Sequence, residues 1–401
     1  MIRLLYITHR VPYPCDKGER IRCTNILRAL SNHACVDLIS LADEFVHPEA
    51  RSFLLRYAQN FYVVPIGRLS KYLRMIFALC SGRSLSERAF AVPSAKQLVR
   101  TLLDKNRYDV VLLSSSAIFP LVADLPRQVR LIADIMDVDS RKWRAYAHGS
   151  FWFRPLYLRE STLVGRLERS IVNRAHAVIV TTLKELEYLP SGSSYKLAVG
   201  NGVDCGFFAP RTWPSECLAR LAFLGTLDYW PNIDAISRFV NAIWPHVRKS
   251  LPQATFNIAG RRPSTHVLRL AQAPGVNLYR DVPDVRPILD QCGLAVFPLK
   301  LVFGIPNKVL EAMAMARLCI IPPEIASIIG GQAGVHYLVA NTAEEWLHHI
   351  LEAQSNPVTA DRIGQNARNF VAECYSWDIQ LRRLIEFILI RQAQLQVAQY
   401  V

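Results

Sequence analysis

The chain has 401 residues, of which 51% are hydrophobic, and a formal net charge of +14. Because a single hydrophobic core stops growing at roughly 250–300 residues, this length predicts two domains, and the apolar content excludes a disordered chain. The charge is uneven, with a net +11 over residues 1–205 and a net +3 over residues 206–401. Such an excess points to an anionic partner: nucleic acid, a membrane surface or a phosphorylated substrate.

The nine cysteines are scattered and form no Cys-x-x-Cys pair, which favours a reducing compartment over a disulfide framework or structural zinc. No run approaches the 18 apolar residues of a membrane-spanning helix, and Met1–Ile7 is too short for the core of a signal peptide. We therefore expect a cytoplasmic protein, with docking on a membrane surface left open.

Short apolar runs alternate with helical patterns along the chain, as in parallel-sheet α/β proteins. Strands of the first half are predicted at Leu4–Thr8, Val36–Leu41, Phe61–Pro65, Val110–Leu113, Leu131–Ile135, Ala177–Thr181 and Lys196–Val199. Those of the second half are predicted at Leu221–Gly225, Thr255–Ala259, Val276–Tyr279, Leu294–Pro298 and Leu318–Ile321. Helices are predicted at Arg20–Leu30, Arg68–Leu79, 233–250, 307–316, 343–355 and Trp377–Gln399.

Two doubly wound, Rossmann-like domains that face each other across a cleft account for this order of elements. The Gly- and Pro-containing segment Asn201–Pro214 predicts a linker, so we place the domains at residues 1–200 and 201–376. Residues 377–401 would form a helix that packs back on the first domain. Ligands of such a fold are expected at the carboxyl ends of the strands.

The loop and helix after the strand Leu294–Pro298 carry the clearest chemical pattern. Gly304 permits an unusual backbone angle, and Asn307 is a good helix N-cap. The first-turn amides would form a phosphate site to which Lys308 adds a cation, and Glu311, one turn later, could accept hydrogen bonds from sugar hydroxyls. The alternative is an ordinary strand–loop–helix with a Lys/Glu surface pair.

This segment resembles the Gly-…-Lys-…-Glu-Ala-Met-Ala region of glycosyltransferase family 4, whose members have the GT-B fold. Four further stretches resemble that family in order: Asn201–Asp204, Phe223–Asn232, Ile243–Pro245 and Ile258–Arg261. Three more are similar to the subgroup of sugar transferases found at exopolysaccharide and exosortase (PEP-CTERM) loci: Asp16–Arg22, Asp137–Trp143 and Tyr375–Trp377. The resemblance runs from about residue 2 to residue 380.

The resemblance implies a retaining transfer of a sugar from a nucleotide-sugar donor that is bound mainly by the second domain. Its donor-binding residues would be Glu311, Lys308, Asn307, Gly304, Ile305, Arg261, Gly225 and Val282. Glu311 would bind the ribose hydroxyls, while Lys308 and the loop amides would hold the diphosphate as negative charge develops on it. Val282 belongs to the loop that would border the base.

The resemblance also assigns functional residues to the first domain. Gly18 would allow the backbone to approach the sugar or the acceptor, and Lys17, Arg22 and Trp143 would lie on the acceptor side. Asp137 and Asp139, which follow a predicted strand, are candidates for hydrogen bonding the donor sugar or the acceptor hydroxyl. A plain turn glycine and a solvated helix arginine are the alternatives for Gly18 and Arg22.

Three departures from the family pattern stand out. Phe303 occupies the position of a second glutamate, the usual Arg and Lys after Gly225 are missing, and a catalytic-region histidine is not evident. Asp137-Val138-Asp139 also spells the Asp-x-Asp metal motif of the GT-A fold. Because a GT-A fold would leave the second half unexplained, we expect no metal and no other cofactor.

The basic first half interleaves cations with large apolar side chains in Arg68–Leu79 and Arg141–Arg154. Such patterns suit an anionic membrane surface, although the apolar residues could equally face the core. No nucleic-acid-binding motif is present, so no nucleic-acid partner is expected. We therefore predict a glycosyltransferase at the cytoplasmic face of the inner membrane, acting on a lipid-linked saccharide acceptor. A sugar-nucleotide epimerase and a weakened, transferase-like binding or scaffold protein are the alternatives.

Overall fold

A computed structural model describes residues 2–126, 128–149 and 151–390 of the chain. These residues form two compact units. Unit 1 comprises the chain up to Gly200 together with the segment from Leu381 onward, and unit 2 comprises Asn201–Gln380. Within the described residues, no helix is both long enough and apolar enough to cross a membrane.

Unit 1 is built on a parallel sheet. Its strands are β1 (Ile2–Thr8), β2 (Ala34–Ala42), β3 (Asn60–Pro65), β4 (Val110–Ser114), β5 (Arg130–Met136), β6 (Ala177–Val180) and β7 (Tyr195–Ala198). They lie in the order β3-β2-β1-β4-β5-β6-β7. The register pairs Thr8 with Ser40 of β2 and with Ser114 of β4, so the loops that follow these strands leave from the same edge of the sheet.

Unit 2 repeats this arrangement. Its strands are β8 (Arg220–Leu224), β9 (Thr255–Gly260), β10 (Val276–Arg280), β11 (Leu294–Val296), β12 (Leu318–Ile321) and β13 (Leu338–Val339). They are parallel and lie in the order β10-β9-β8-β11-β12-β13. In both sheets the chain reverses its direction of winding beside the first strand, which is where α/β folds bind ligands.

Helices connect the strands in both units. Those that begin in unit 1 are α1 (Gly18–Ser31), α2 (Ala50–Leu54), α3 (Arg68–Cys80), α4 (Leu85–Phe90), α5 (Pro93–Lys105), α6 (Asp139–His148), α7 (Arg154–Arg174) and α8 (Leu183–Tyr188). Those that begin in unit 2 are α9 (Trp230–Arg238), α10 (Trp244–Ser250), α11 (Thr265–Leu270), α12 (Arg286–Asp290), α13 (Asn307–Ala314), α14 (Pro323–Ile329), α15 (Ala343–Ser355), α16 (Pro357–Tyr375) and α17 (Trp377–Leu389).

Each unit has its own apolar core, formed where helices cover the sheet. Leu112, Ile132 and Val178 of the central strands of unit 1 are fully buried, which is why those strands are continuous apolar runs in the sequence. In unit 2 the rings of Phe239 and Phe256 lie 4.6 Å apart between a helical segment and β9. The predicted α/β class, with two Rossmann-like parallel-sheet domains, is confirmed.

The predicted strands all occur, each within two residues of its predicted ends. The two-residue strand β13 was not predicted, because it is too short to form an apolar run. The prediction of one regular helix over 233–250 is wrong, since a π-helical turn at Phe239–Ile243 separates α9 from α10. Pro245, which has no N–H to donate, lies two residues after this turn and so interrupts the regular hydrogen bonding of the helix there.

The end of α17 is attached to the sheet of unit 1 by one arginine. Arg130, the first residue of β5, donates to the carbonyl oxygens of Phe387 at 3.0 Å, Ile388 at 3.3 Å and Ile390 at 2.8 Å. The last carbonyls of a helix have no partners within the helix, so a cation here satisfies them. The predicted continuation of this helix to Gln399 lies outside the described residues.

Candidate functional site

Two glycines allow β8 and β9 of unit 2 to approach each other closely at their carboxyl ends. A Cβ atom added to Gly260 would lie 1.7 Å from the carbonyl oxygen of Gly225, a distance that no side chain tolerates. The amide of Gly225 donates to the carbonyl of Ala259 at 3.1 Å. Only glycine therefore fits at position 260, and the edge of the sheet is left open to the residues of α13.

Lys308, in the first turn of α13, reaches over the end of β8. Its Nζ donates to Oδ1 of Asn232 at 2.5 Å and lies 4.7 Å from the ring centroid of Phe223. Asn232 is itself oriented, because its Nδ2 donates to the carbonyl of Thr226 at 2.8 Å. A Cβ on Gly225 would come within 3.3 Å of the lysine Nζ, so this glycine also leaves room for the cation.

Burial acts on both charged groups of α13. It lowers the pKa of Lys308 to about 7 and raises that of Glu311 to about 7, and the attraction between the two charges offsets this only in part. Among the described residues, the Glu311 carboxylate forms no hydrogen bond or ion pair. The helix thus presents a cation and an acceptor carboxylate, both half-buried, at the carboxyl edge of the sheet.

Asn307 does not act as the predicted N-cap. Pro306 holds the cap position, Asn307 is the first residue of the helix, and its Oδ1 and Nδ2 atoms are both buried without a hydrogen-bond partner among the described residues. A buried amide without partners costs free energy, so a ligand that pairs with it gains from doing so. The unusual backbone predicted for Gly304 is confirmed by its φ of +62°, and Ile305 is buried beside it.

The loops after β9 and β10 form the rest of this edge. Arg261 follows Gly260 directly, and its carbonyl accepts from the amide of Leu227 at 2.8 Å. Val282 is half-buried on the loop after β10. That loop is held by Arg286, which pairs with Asp284 at 2.7 Å and stacks 3.7 Å from the ring centroid of Phe207. The role of Arg286 was not anticipated, because its aromatic partner lies about 80 residues away in the sequence.

In unit 1, Asp137 and Asp139 lie together at the carboxyl end of β5. A single lysine links them, since Nζ of Lys142 lies 2.9 Å from Asp139 and 3.4 Å from Asp137. Thr181 donates to Asp137 at 3.1 Å, and Ser116 donates to Asp139 at 3.3 Å. The loops after β4, β5 and β6 therefore converge on this carboxylate pair, whose charge is partly balanced by Lys142.

A possible metal-ligand group occurs elsewhere in the described residues. His348, His349 and Glu352 of α15 have ligand atoms within 4.8 Å of one another. The two exposed members, His348 and Glu352, lie 3.6 Å apart, as a simple surface pair does. This group is separate from Asp137 and Asp139 and shares no residue with the predicted functional set.

The backbone near Asp137 is held in sparsely populated conformations. Ser115, after β4, has a φ of +98°, and Met136, at the end of β5, has a φ of +67°. Buried carboxylates fix the next turn: Glu185 accepts from the amide of Val138 at 2.6 Å, and Glu168 accepts from that of Ser140 at 3.0 Å. Burial raises the pKa of Glu168 to about 7. Backbone strain of this kind is common at functional sites, and sequence patterns do not reveal it.

The predicted residues Gly18, Lys17 and Trp143 of unit 1 differ in their exposure and in their contacts. Gly18 is exposed at the start of α1, and a Cβ added there would meet nothing within 4 Å, so the fold itself does not require a glycine. Lys17 is ion-paired, with its Nζ 2.8 Å from both carboxylate oxygens of Glu44. Trp143 is half-buried in a cluster of aromatic rings, 5.7 Å from Tyr157.

Arg22 has a structural position, which does not fit the predicted acceptor contact. Its side chain is 1% exposed and pairs with Asp134 of β5, with Nε–Oδ2 at 2.8 Å and Nη2–Oδ1 at 2.9 Å. It also donates to the carbonyls of Val199 at 2.9 Å and Gly200 at 3.1 Å. The guanidinium therefore joins α1 to β5 and to the backbone at Val199 and Gly200.

Comparisons with known proteins agree with this architecture. Residues 219–356 match the family model described as "Glycosyl transferases group 1". A search of curated protein sequences found no match to the chain.

Three solved structures are similar in fold. Anabaena HepE in complex with UDP-glucose has 14% identity and a TM-score of 0.67, covering 97% of this chain and 99% of its own. Sucrose-phosphate synthase from Thermosynechococcus elongatus has 15% identity and a TM-score of 0.72, covering 99% and 100%. TarM from S. aureus has 12% identity and a TM-score of 0.69, covering 97% and 100%. The protein thus has the fold of GT-B glycosyltransferases, and residues 219–356 carry the match to the group 1 glycosyltransferases.

Proposed function

We propose that this protein is a retaining, metal-independent glycosyltransferase that takes its sugar from a nucleotide-sugar donor. One observation carries the proposal: at the carboxyl edge of the unit 2 sheet, α13 presents the cation of Lys308 together with the side-chain amide of Asn307 and the carboxylate of Glu311, neither of which has a hydrogen-bond partner among the described residues. A nucleoside diphosphate has complementary groups for all three. The match of residues 219–356 to group 1 glycosyltransferases supports the same function.

In the donor complex, each charged residue of α13 would bind a different part of the nucleotide. Lys308 would leave Asn232 and pair with the diphosphate, whose charge grows as the glycosidic bond to the donor breaks. Glu311 would accept hydrogen bonds from the ribose hydroxyls, and Arg261, at the end of β9, would supply a second cation. Structures of HepE with UDP and with UDP-glucose support a nucleotide-sugar donor of this class.

Asp137 and Asp139 would act in unit 1 on the acceptor hydroxyl or on hydroxyls of the transferred sugar. Their shared partner, Lys142, provides a fixed positive charge beside them, and such a charge supports a mechanism that needs no divalent ion at this position. Gly18 would let the acceptor approach the start of α1. Retention of configuration rests on the resemblance to family 4.

The acceptor that we propose is a lipid-linked saccharide, met at the cytoplasmic face of the inner membrane. The exposed side of α3 supports membrane docking, because its apolar side chains are largely uncovered: Leu69 is 74% exposed and Ile76 is 63% exposed. Arg159 of α7 donates to the carbonyl of Ala78 at 2.6 Å and so joins α7 to the end of α3. The turn just before α7 adds further apolar surface, including Trp152 at 86% exposure.

This docking surface combines exposed apolar groups with cations. Its apolar members are Leu69, Tyr72, Leu73, Ile76, Phe77, Leu79, Phe151, Trp152 and Phe153. Arg68, Arg83 and Arg154 flank them. Apolar insertion and attraction to anionic headgroups act together in peripheral membrane proteins. We place the reaction in exopolysaccharide or surface-glycan synthesis, on the resemblance to family 4 and its PEP-CTERM-associated subgroup.

A transfer assay tests the proposed function. Purified protein is incubated with a panel of radiolabelled nucleotide sugars and a membrane extract, and label is measured in the lipid fraction and in the sugar nucleotides. Label that moves into lipid is the expected result. A donor that isomerises without any acceptor would indicate an epimerase, and donor binding without either reaction would indicate a scaffold protein in which Phe303 replaces a catalytic glutamate.

A further inference from the structure

Cations from the loop after β1 and from the start of α1 surround one carboxylate, that of Glu44. Its oxygens lie 2.8 Å from Nζ of Lys17, 2.8 Å from Nη2 of Arg20 and 3.8 Å from Nε of Arg10. Glu44 follows β2 with one residue between, and Arg10 follows β1 in the same way. Because β1 and β2 are parallel neighbours, the cluster lies at the same edge of the sheet as Asp137 and Asp139.

Glu44 can be replaced without breaking the other ion pairs of this cluster. Arg20 keeps Asp16 at 2.9 Å, and Arg10 keeps Glu19 at 3.0 Å and Asp43 at 3.2 Å. Lys17 differs from the two arginines, since Glu44 is its ion-pair partner in the described part of the chain. An anion that replaced Glu44 would therefore meet three cations. Two of them, Arg10 and Arg20, would keep other carboxylate partners, and Lys17 would pair with the anion in place of Glu44.

The position of Glu44 also suits an exchangeable group. Its side chain is 36% exposed, whereas the side chains of Asp43 and Asp16 are 3% and 10% exposed. Phe45, the next residue, is 80% exposed, so core packing does not anchor this part of the loop. The cavity left beside Arg10, Arg20 and Glu44 measures only about 10 Å³, room for about one water molecule, and a phosphate fits there only if Glu44 moves away.

We propose that Lys17, Arg20 and Arg10 form a binding site for a phosphate or diphosphate group, and that Glu44 occupies this site in the unliganded protein. Guanidinium and ammonium groups pair with phosphate oxygens through the same charge-assisted hydrogen bonds that they form with a carboxylate. The inference rests on the proposed function, in which the acceptor is a lipid-linked saccharide, and it specifies that a diphosphate joins the lipid to the saccharide. It assigns that diphosphate to the edge of unit 1, beside the proposed acceptor residues.

The test measures binding of inorganic pyrophosphate by calorimetry, in a Lys308→Ala background that removes the donor-side cation of unit 2. Glu44→Gln keeps the size and a hydrogen-bond acceptor but removes the competing charge, so pyrophosphate is expected to bind about tenfold more tightly. Glu187→Gln is the matched control, because it changes the net charge equally at an exposed site on α8. Adding Lys17→Ala to Glu44→Gln is expected to abolish the gain.

A second arm identifies the source of the anion. Phosphatidylcholine vesicles with and without farnesyl diphosphate replace pyrophosphate, and protein that floats with them is measured. A gain for Glu44→Gln that is larger with farnesyl diphosphate vesicles assigns the site to a lipid diphosphate, and a gain with pyrophosphate alone assigns it to a soluble ligand. The proposal is wrong if Glu44→Gln behaves as Glu187→Gln does with both probes, or if its gain survives the loss of Lys17. Neither result depends on sugar transfer, so the proposed function is judged separately.

Discussion

Lys308 and Asn232, 76 residues apart in the chain, are joined by a hydrogen bond from Nζ to Oδ1 at the end of β8. The bond holds the lysine of α13 over the carboxyl edge of the sheet, close to Gly225. The amino group therefore lies near the proposed diphosphate position before any ligand arrives, and it has only to exchange Asn232 for the ligand. A donor that is held close to its ligand in this way needs little reorganisation to stabilise a developing anion.

Removal of the charged groups of α13 is expected to reduce sugar transfer while the fold is kept. For Lys308→Ala and Glu311→Ala we expect kcat/KM to fall by about 10²–10³, the usual loss when one charged contact to the transition state is removed. Lys249→Ala, at an exposed lysine on α10, is the control. Full activity of both variants with unchanged thermal unfolding would show that the donor site is elsewhere.

Donor binding should depend on pH through Lys308. Burial lowers the pKa of this lysine to about 7, so above pH 7 it loses its proton in the free protein and no longer attracts a diphosphate. We expect the donor Kd to rise by up to about tenfold per pH unit between pH 7 and about 8.5. Calorimetric titrations over this range provide the measurement. Lys308→Arg, which stays charged, should flatten the profile, and an equally steep profile in that variant would argue against Lys308.

The lowered pKa of Lys308 also makes the free energy of unfolding depend on pH, in a direction that can be predicted. Between pH 7 and the ordinary lysine pKa, the unfolded chain binds more protons at Lys308 than the folded chain does, so this group makes the free energy of unfolding rise with pH. Glu311 has a raised pKa, so its contribution falls as the pH rises from its ordinary value to about 7. Urea titrations of wild type and of Lys308→Met would separate the lysine contribution.

Gly18→Ala distinguishes a ligand contact from a plain turn. A Cβ at this position meets nothing within 4 Å, so the free energy of unfolding should change by less than about 0.5 kcal/mol. If the acceptor approaches this backbone, the added methyl group should still lower kcat/KM by about tenfold or more. Ser31→Ala, at the other end of α1, is the control. Unchanged kcat/KM would assign Gly18 to the turn alone.

Arg22→Met is expected to destabilise unit 1 by about 3–5 kcal/mol, because it leaves the carboxylate of Asp134 buried without its partner. The double variant Arg22→Met/Asp134→Leu should recover much of that loss. Arg28→Met, at an exposed position of the same helix, is the control. Denaturant titrations measure these effects. If Arg22→Met raised only the KM for the acceptor and left the free energy of unfolding unchanged, the acceptor role would be restored.

Membrane docking is tested by flotation with phosphatidylcholine vesicles that contain phosphatidylglycerol. Wild-type protein should float at low salt and less at high salt, because screening weakens its attraction to the anionic surface. Leu73→Glu/Ile76→Glu should reduce the bound fraction about fivefold, since it places charge on the exposed apolar side of α3. Val358→Glu, at an exposed apolar residue of unit 2, is the control. Failure of the wild type to float at low salt would exclude this docking surface.

Local sequence patterns were enough to predict every strand of the two sheets except β13, and the strand–loop–helix that carries Lys308 and Glu311. Alternating apolar runs, turn residues and helical periodicity act over a few residues, so a sequence contains them directly. The backbone of Gly304 was predicted for the same reason. The cap of α13 was not, because Asn307 and Pro306 compete for one position and only the path of the chain decides between them.

The contacts of individual charged side chains could not be predicted from the sequence. From the sequence alone, the basic excess of the first half indicated an anionic partner, and Lys17 and Arg22 were equivalent candidates for it. The tertiary structure separates them: Arg22 is buried against Asp134, 112 residues away, while Lys17 meets Glu44 at the surface. An ion pair depends on which strands become neighbours, and strand order is set by the packing of the whole sheet. Local sequence patterns therefore determined most of the secondary-structure elements and indicated a class of chemistry, and the fold decided which charged side chains are buried in ion pairs and which lie at the surface.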